Sequence, residues 1–330
     1  MKILLITMNK ADATSFYRAA GVVRDLESQT GITINVQDWQ DQNIMWPVLI
    51  NYDLVWMQRP VSNEAVNTAK YMRQMGIPLW VEYDDDLFNL PTTHDRYSVF
   101  QAARQNIITL LQMAAVVTVS TPVIKESYEP YNDNIVVIPN AIQDEMLVPA
   151  EVPVGRVMLY RGMKSHEDDV FAYNQHFRKI ISSGAEVVFM TGFNPLRYLG
   201  RCTIIDSRDI YHYFNYLRDT RPLAFLFPMI ENQFNRSRSN ICWLEATMAG
   251  SVIIAPDWPE FHHPGIIHCN EKNFHEVATA VWNGKYDTED LYHKSYNYIA
   301  DNLKLSTVNK MRVEIINNIT NGKANNQVQN

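Results

Sequence analysis

Short apolar runs alternate with amphipathic segments along almost the whole chain. KILLIT (Lys2–Thr7) reads as a first strand, and Ser15–Gly31 shows helical periodicity with a glycine stop. Ile32–Trp39 alternates like a strand, Tyr52–Gln58 is a buried strand, and Asn63–Met75 is a helix ending at Gly76. Ile77–Asp86 is a strand that runs into an acidic end. Tyr97–Ala114 is helical, and Ala115–Ser120 and Asn134–Ile142 are strands. Asp144–Gly155 breaks the pattern and carries two prolines, so it is read as a linker. The alternation then restarts with strands at Arg156–Gly162, Ala185–Gly192, Cys202–Ile205, Pro222–Pro228 and Ser251–Pro256. Helices are expected at Asp168–Ser182, around Asp209–Leu217, ahead of Gly250 and around Ser306–Ile319. Strands alternating with helices imply parallel sheets with helices on both faces. The expected organisation is two tandem βαβ domains, 1–148 and 149–320, followed by a polar, disordered tail at 321–330.

Composition narrows this picture. With 330 residues and 46% hydrophobic content, two domains of ordinary size can each bury a core. No apolar run reaches the ~18 residues of a membrane span. The apolar stretch near the N-terminus covers only Ile3–Ile6, too short for a signal core, and is read as a buried strand. Cys202, Cys242 and Cys269 lie far apart without metal-ligand spacing, which points to a reducing, cytoplasmic compartment. The net charge of -7 is uneven: residues 1–150 hold 10 basic and 17 acidic side chains, whereas 151–330 hold 19 of each. A global basic footprint for nucleic acid is absent.

The densest chemistry lies in FNRSRSNICWLEATMAGSVIIAP, Phe234–Pro256. Arg236 and Arg238, with Ser237, Ser239 and Asn240, precede an apolar helix that carries one acid, Glu245. Cations and small polar groups at a helix start make an anion site. An acid two turns further in is placed to reach a ribose hydroxyl, so the layout suits a nucleotide diphosphate. The bland alternatives are a solvated surface run for the arginines and an exposed helix acid for Glu245. No G-x-S-x-G, HExxH or Walker loop is present, and no Cys/His pair has usable spacing.

Four stretches together resemble the retaining GT-B glycosyltransferases, in a branch common in bacteria and their viruses. They are VEYDDDLFNLP (Val81–Pro91), VTVSTPVIKESYEPYNDNIVVIPNAI (Val117–Ile142), RGMKSHEDDV (Arg161–Val170) and FNRSRSNICWLEATMAG (Phe234–Gly250). The resemblance spans roughly residues 1–310. It implies a GT-B fold, two Rossmann-like domains facing a cleft, with a UDP-type sugar donor on the C-terminal one. The final helix is expected to cross back to the N-terminal domain. In this reading Glu245 holds the donor ribose, and Ser237 stands where many members have a sugar-contacting acid. Arg238 stands where a glycine usually presents its backbone to the diphosphate; a guanidinium there can bind it directly. Arg161 and Lys164 match a second cationic loop, the nucleobase falls near Asp206–Ile210, which includes Arg208, and Gly192 lines the donor pocket. The implied transfer is front-face and retaining, without a covalent intermediate, cofactor or metal.

Several residues keep alternatives open. Arg161 and Lys164 also suit an ordinary loop. His166 is either a donor ligand or a turn histidine, and Asp168 and Asp169 are expected to cap the following helix. Asp84, Asp85 and Asp86 read as cleft residues that orient an acceptor hydroxyl or act as its base. A magnesium site and a structural role are the alternatives. The loop Asn9–Arg18 is expected at the same cleft, with Asp12 in it, Ser15 as a helix cap and Arg18 either reaching an anion or packing on the surface. The acceptor is a glycan or a hydroxymethylated base of phage DNA. A GT-B nucleotide-sugar epimerase and a non-catalytic nucleotide-sugar-binding protein are the rival functions.

Overall fold

The computed structural model describes residues 1–39, 46–150 and 155–327. The chain forms two compact units. Unit 1 comprises Met1–Thr92, Arg96–Ala141 and Leu305–Asn330; unit 2 comprises Thr93–Asp95 and Ile142–Lys304. The division falls at 141/142 rather than at 148/149, because Ile142 bridges to Lys304 and its N–H bonds the Leu303 carbonyl.

Unit 1 is built on strands β1 (Lys2–Thr7), β2 (Thr33–Asp38), β3 (Leu54–Gln58), β4 (Leu79–Tyr83), β5 (Val116–Val119) and β6 (Ile135–Val137). They form one parallel sheet in the order β2-β1-β3-β4-β5-β6. Every residue of β3 and β4 is buried, as expected for strands covered on both faces. Trp56 and Trp80 stack across these strands at 4.1 Å between ring centroids. Helices Ala20–Thr30 and Asn63–Gln74 stop close to Gly31 and Gly76, whose φ values of 67° and 68° a side chain would resist. The stretch expected as one helix from Ser15 breaks at Ala19, giving Ala13–Arg18 and Ala20–Thr30.

The last helix, Leu305–Gln327, packs on Ala20–Thr30 within unit 1. Asn309 Nδ2 donates to the Val22 carbonyl at 3.1 Å and to Asp25 Oδ2 at 2.6 Å. Helical backbone therefore extends into the stretch expected as a disordered tail; residues 328–330 of that tail lie outside the described residues.

Unit 2 repeats the scheme with β7 (Met158–Gly162), β8 (Val187–Thr191), β9 (Thr203–Asp206), β10 (Ala224–Leu226), β11 (Val252–Pro256) and β12 (Ile266–Cys269). Its parallel order is β12-β11-β10-β7-β8-β9. Phe177, Phe189, Phe274, Leu226 and Ile254 lie in the core around this sheet. The helix expected over Asp168–Ser182 is interrupted at Tyr173, giving Glu167–Ala172 and Asn174–Ser182. Of the linker Asp144–Gly155, residues 151–154 lie outside the described residues, and Asp144–Met146 forms a short 3-10 turn. Among the described residues no helix is long and apolar enough to cross a membrane.

The strand order reverses beside β1 and β3 in unit 1, and beside β7 and β10 in unit 2. Open α/β sheets bind ligands beyond the carboxyl ends of strands at such reversals.

Candidate functional site

In unit 2 the reversal is where the two arginine-bearing motifs meet. β7 ends in Arg161-Gly162, and the segment after β10 leads through the short helix Gln233–Arg236 into Ile241–Met248. Glu245 lies one turn into this second helix and is 2% exposed. Its Oε2 accepts from Arg161 Nη2 at 2.6 Å, Arg161 Nε at 2.9 Å and the Tyr213 hydroxyl at 2.9 Å. A buried carboxylate needs such partners, since an isolated buried charge is very costly. Glu245 is thus a fixed acceptor, and Arg161 is a partner of the carboxylate expected to hold ribose. Tyr213 was not foreseen; the one sequence signal for it is its place on the inward face of helix Ile210–Thr220.

Arg238 lies beside this pair. Its guanidinium carbon sits 4.4 Å from the centroid of the Phe234 ring, and Nη2 donates to Ser165 Oγ at 3.3 Å. Aromatic support orients a guanidinium without neutralising it. Ser237 is fully buried and donates to the Phe234 carbonyl at 2.7 Å. It therefore holds the turn. Arg236 turns outward, bonding Glu231 and lying 5.3 Å from the Trp258 ring centroid. Ser239 is half-buried, and Asn240 is buried.

The loop after β7 is held tightly. A Cβ on Gly162 would lie 3.0 Å from His166 Cβ and 3.1 Å from the Tyr160 hydroxyl. His166 Nδ1 bonds Asp169 Oδ2 at 2.9 Å, while Asp169 Oδ1 accepts from Ile230 N at 2.9 Å and Asn235 Nδ2 at 3.0 Å. Asp169 therefore ties the β7 loop to the segment Ile230–Asn235 instead of capping its own helix. Burial, reinforced by Arg238, lowers the His166 pKa and favours the neutral ring. Lys164 pairs with Glu167, which also accepts from the Tyr198 hydroxyl at 2.9 Å. Gly192 is exposed, and a Cβ there would meet Met163 Cε at 3.4 Å and Lys164 N at 3.6 Å. Arg208 is exposed and stacks on Tyr216 at 5.1 Å.

A second unforeseen group adjoins the start of helix Ile241–Met248. Glu260 Oε1 accepts from the Asn240 N–H at 3.2 Å, and burial pushes its carboxyl up to about 7. Asn240 Nδ2 lies 3.1 Å from His263 Nε2, and the His263 ring stacks on Trp243 at 4.5 Å.

In unit 1 the reversal gathers the acidic residues around Arg59, which the sequence reading passed over. Arg59 follows β3 with φ 49°, a left-handed conformation that a non-glycine residue rarely holds without cause. Its Nη2 lies 2.6 Å from Asp84 Oδ1 and 2.7 Å from Asp85 Oδ2. Burial opposes its charge, but these two carboxylates outweigh that and raise its pKa. Asp12 caps helix Ala13–Arg18 by accepting from Ser15 N at 2.6 Å, so Asp12 and not Ser15 is the cap. Burial raises the Asp12 pKa, with Arg59 opposing. Ser15 is fully buried and accepts from the Thr7 hydroxyl.

Asp86 is fully buried and serves its own turn, accepting from Phe88 N, Asn89 Nδ2 and Ser127 Oγ at 3.1, 2.8 and 2.7 Å. Arg18, expected at a cleft or on the surface, is 1% exposed. It is paired with Glu82 at 2.5 Å and donates to the Ile138 carbonyl at 2.7 Å. The acidic triplet is therefore divided between an arginine clamp and a turn. Among the described residues no three His, Cys, Asp or Glu side chains are grouped to hold a metal ion.

No family model matches the chain, and no curated protein matches it. Solved structures do. Anabaena Alr3699/HepE in complex with UDP-glucose is similar over 96% of this chain and 100% of its own, with TM-score 0.70 and 12% identity. The chain has the GT-B fold. An alpha,alpha-trehalose-phosphate synthase (UDP-forming) from Burkholderia vietnamiensis is similar over 96% and 100%, with TM-score 0.63 and 10% identity. The UDP-GlcNAc 2-epimerase from Neisseria meningitidis bound to UDP-GlcNAc follows at TM-score 0.56 and 12% identity, over 96% and 99%. At these identities the likeness is one of fold.

Proposed function

We propose that this protein transfers a sugar from a UDP-sugar to an acceptor hydroxyl with retention at the anomeric carbon. The observation that carries this reading is Glu245, buried and anchored by Arg161 and Tyr213 beside the ring-supported Arg238, at the strand reversal of unit 2. A fixed carboxylate accepts ribose hydroxyls, and a fixed guanidinium stabilises the charge that grows on a departing diphosphate. The UDP and UDP-glucose complexes of the HepE neighbour favour uridine as the nucleotide. Unit 2 holds the donor in this account. Lys164, Ser239, Gly192 and Arg208 complete its rim, and His166, held neutral by burial and the charge of Arg238, adds no competing charge. Unit 1 serves the acceptor through Asp12, Asp84 and Asp85, with Arg59 holding the two last carboxylates in place. Transfer is direct and needs no metal.

The acceptor is a glycan or a hydroxymethylated DNA base. The acidic excess in residues 1–150 favours the glycan, because phosphate contacts dominate DNA affinity. The fold likeness to a UDP-GlcNAc 2-epimerase supports one rival, sugar-nucleotide epimerisation without an acceptor. Incubation of the native chain, Glu245→Ala and Arg238→Ala with UDP-sugars and both acceptor types, read by mass spectrometry, tests the reading. Acceptor-dependent glycoside formation that both substitutions abolish supports it. An epimerised sugar nucleotide formed with donor alone sinks transfer in favour of the rival.

A further inference from the structure

The resemblance expects a sugar-contacting acid at position 237, and the chain has a fully buried serine committed to the Phe234 carbonyl. A different acid, from another turn, bonds the far end of this one at Asn240. Glu260 follows β11 in the turn Pro259–Phe261. Among the described residues its carboxyl has one hydrogen-bond partner, the Asn240 N–H at 3.2 Å. A carboxylate offers about four acceptor positions, so a largely buried one with a single long bond is under-used.

The neighbouring Asn240 is 4% exposed, and its Oδ1 is buried with no hydrogen-bond partner among the described residues. The amide is oriented from behind. Nδ2 faces His263 Nε2 at 3.1 Å, and the His263 ring stacks on Trp243 with planes 6° apart. Burial lowers the His263 pKa, so the neutral ring accepts from Nδ2, and Oδ1 is left without a partner among the described residues. Two incompletely used acceptors thus adjoin at one helix N-terminus. Glu260 already accepts from the Asn240 N–H, so that donor is not open to a phosphate. Acceptors in need of donors suit hydroxyl groups on a neutral ring.

We propose that Glu260 and Asn240 form the hydroxyl-reading subsite for the transferred sugar, standing in for the acid absent at Ser237. This rests on the donor reading given above. They are specificity-determining residues, with His263 and Trp243 positioning the Asn240 amide.

The test is calorimetric titration of the full chain with UDP, UDP-sugars and UDP-sugars deoxygenated at single ring positions, for the native protein, Glu260→Gln and Asn240→Ala. The native chain binds its UDP-sugar more tightly than UDP. Each substitution weakens UDP-sugar binding roughly tenfold, the worth of a hydrogen bond to a charged or buried group, and leaves UDP affinity unchanged. One deoxygenated donor weakens binding to the native chain and causes no further loss in Glu260→Gln. Equal losses for UDP and UDP-sugar would overturn the subsite while leaving the donor reading intact. Should a variant fail to fold, the native chain still decides: indifference to deoxygenation at every ring position overturns the proposal. A native chain that binds no UDP compound overturns the donor reading, and the subsite with it.

Discussion

Tyr213→Phe isolates the anchoring of Glu245 with minimal disturbance. The substitution removes one hydroxyl and keeps the ring, which is 6% exposed. The lost bond is a 2.9 Å donation to a carboxylate that is 2% exposed. A hydrogen bond to a charged group contributes about 1.5–3 kcal/mol. Arg161 keeps two contacts to the same oxygen, at 2.6 and 2.9 Å, so the lower end applies. At 1.4 kcal/mol per decade this is about tenfold in affinity for a ligand that relies on Glu245. Calorimetry with UDP and with 2′-deoxy- and 3′-deoxyuridine diphosphate separates ribose recognition from general loosening. The expected result is a roughly tenfold weaker UDP complex and a smaller penalty for whichever deoxy compound lacks the Glu245 contact. Unchanged UDP affinity together with unchanged discrimination among the three would refute the reasoning.

Three further outcomes follow from the same geometry. Arg238→Ala is expected to lower kcat of the proposed transfer by about a hundredfold or more, because a preorganised donor to the leaving group is lost; Arg238→Lys, unable to stack on Phe234 in the same way, is expected to recover little in the same assay. Arg59→Ala leaves Asp84 and Asp85 without their shared cation; because both carboxylates are partly exposed, the cost in a urea melt is about 1–2 kcal/mol. An equal stability for Arg59→Ala and the native chain contradicts the clamp. Glu260, raised from 4.5 to about 7, makes the folded state bind more protons than the unfolded one between those values. Stability from this group is therefore full below pH 4.5 and falls by up to about 3 kcal/mol as pH rises through 7. Glu260→Gln should abolish that part of the slope in melts across this range, and a slope identical to the native one excludes the assignment.

The sheets were legible because fully buried parallel strands write themselves as uninterrupted apolar runs, as in Leu54–Gln58 and Leu79–Tyr83. Helix stops at Gly31 and Gly76 were legible because a left-handed φ selects glycine. Contacts made by tertiary placement alone were not. Nothing local marks Arg59 as left-handed, since no propensity favours arginine there. Tyr213 lies 32 residues from Glu245, and Glu260 lies 20 residues from Asn240, so no spacing rule links either pair. The acidic strand end Asp84–Asp86 and the loop Asn9–Arg18 both read as facing one cleft, yet folding splits them. Arg18 and Asp86 turn inward to satisfy buried partners, whereas Asp12, Asp84 and Asp85 remain partly open. Arg18 shares its buried partner Glu82 with the field of Arg312, whose pKa burial lowers to about 9. That arrangement involves residues far apart in the chain and leaves no motif.

The central claim is that a UDP-sugar donor reacts at unit 2 with an acceptor hydroxyl. Its most direct measurement is the coupled balance of UDP released and acceptor glycosylated by the full chain, supplied with UDP-sugars and with glycan or hydroxymethylated-DNA acceptors. The account predicts equimolar UDP and glycoside with the anomeric configuration of the donor retained. Release of UDP without glycosylated acceptor, or no reaction with any UDP-sugar, would contradict it.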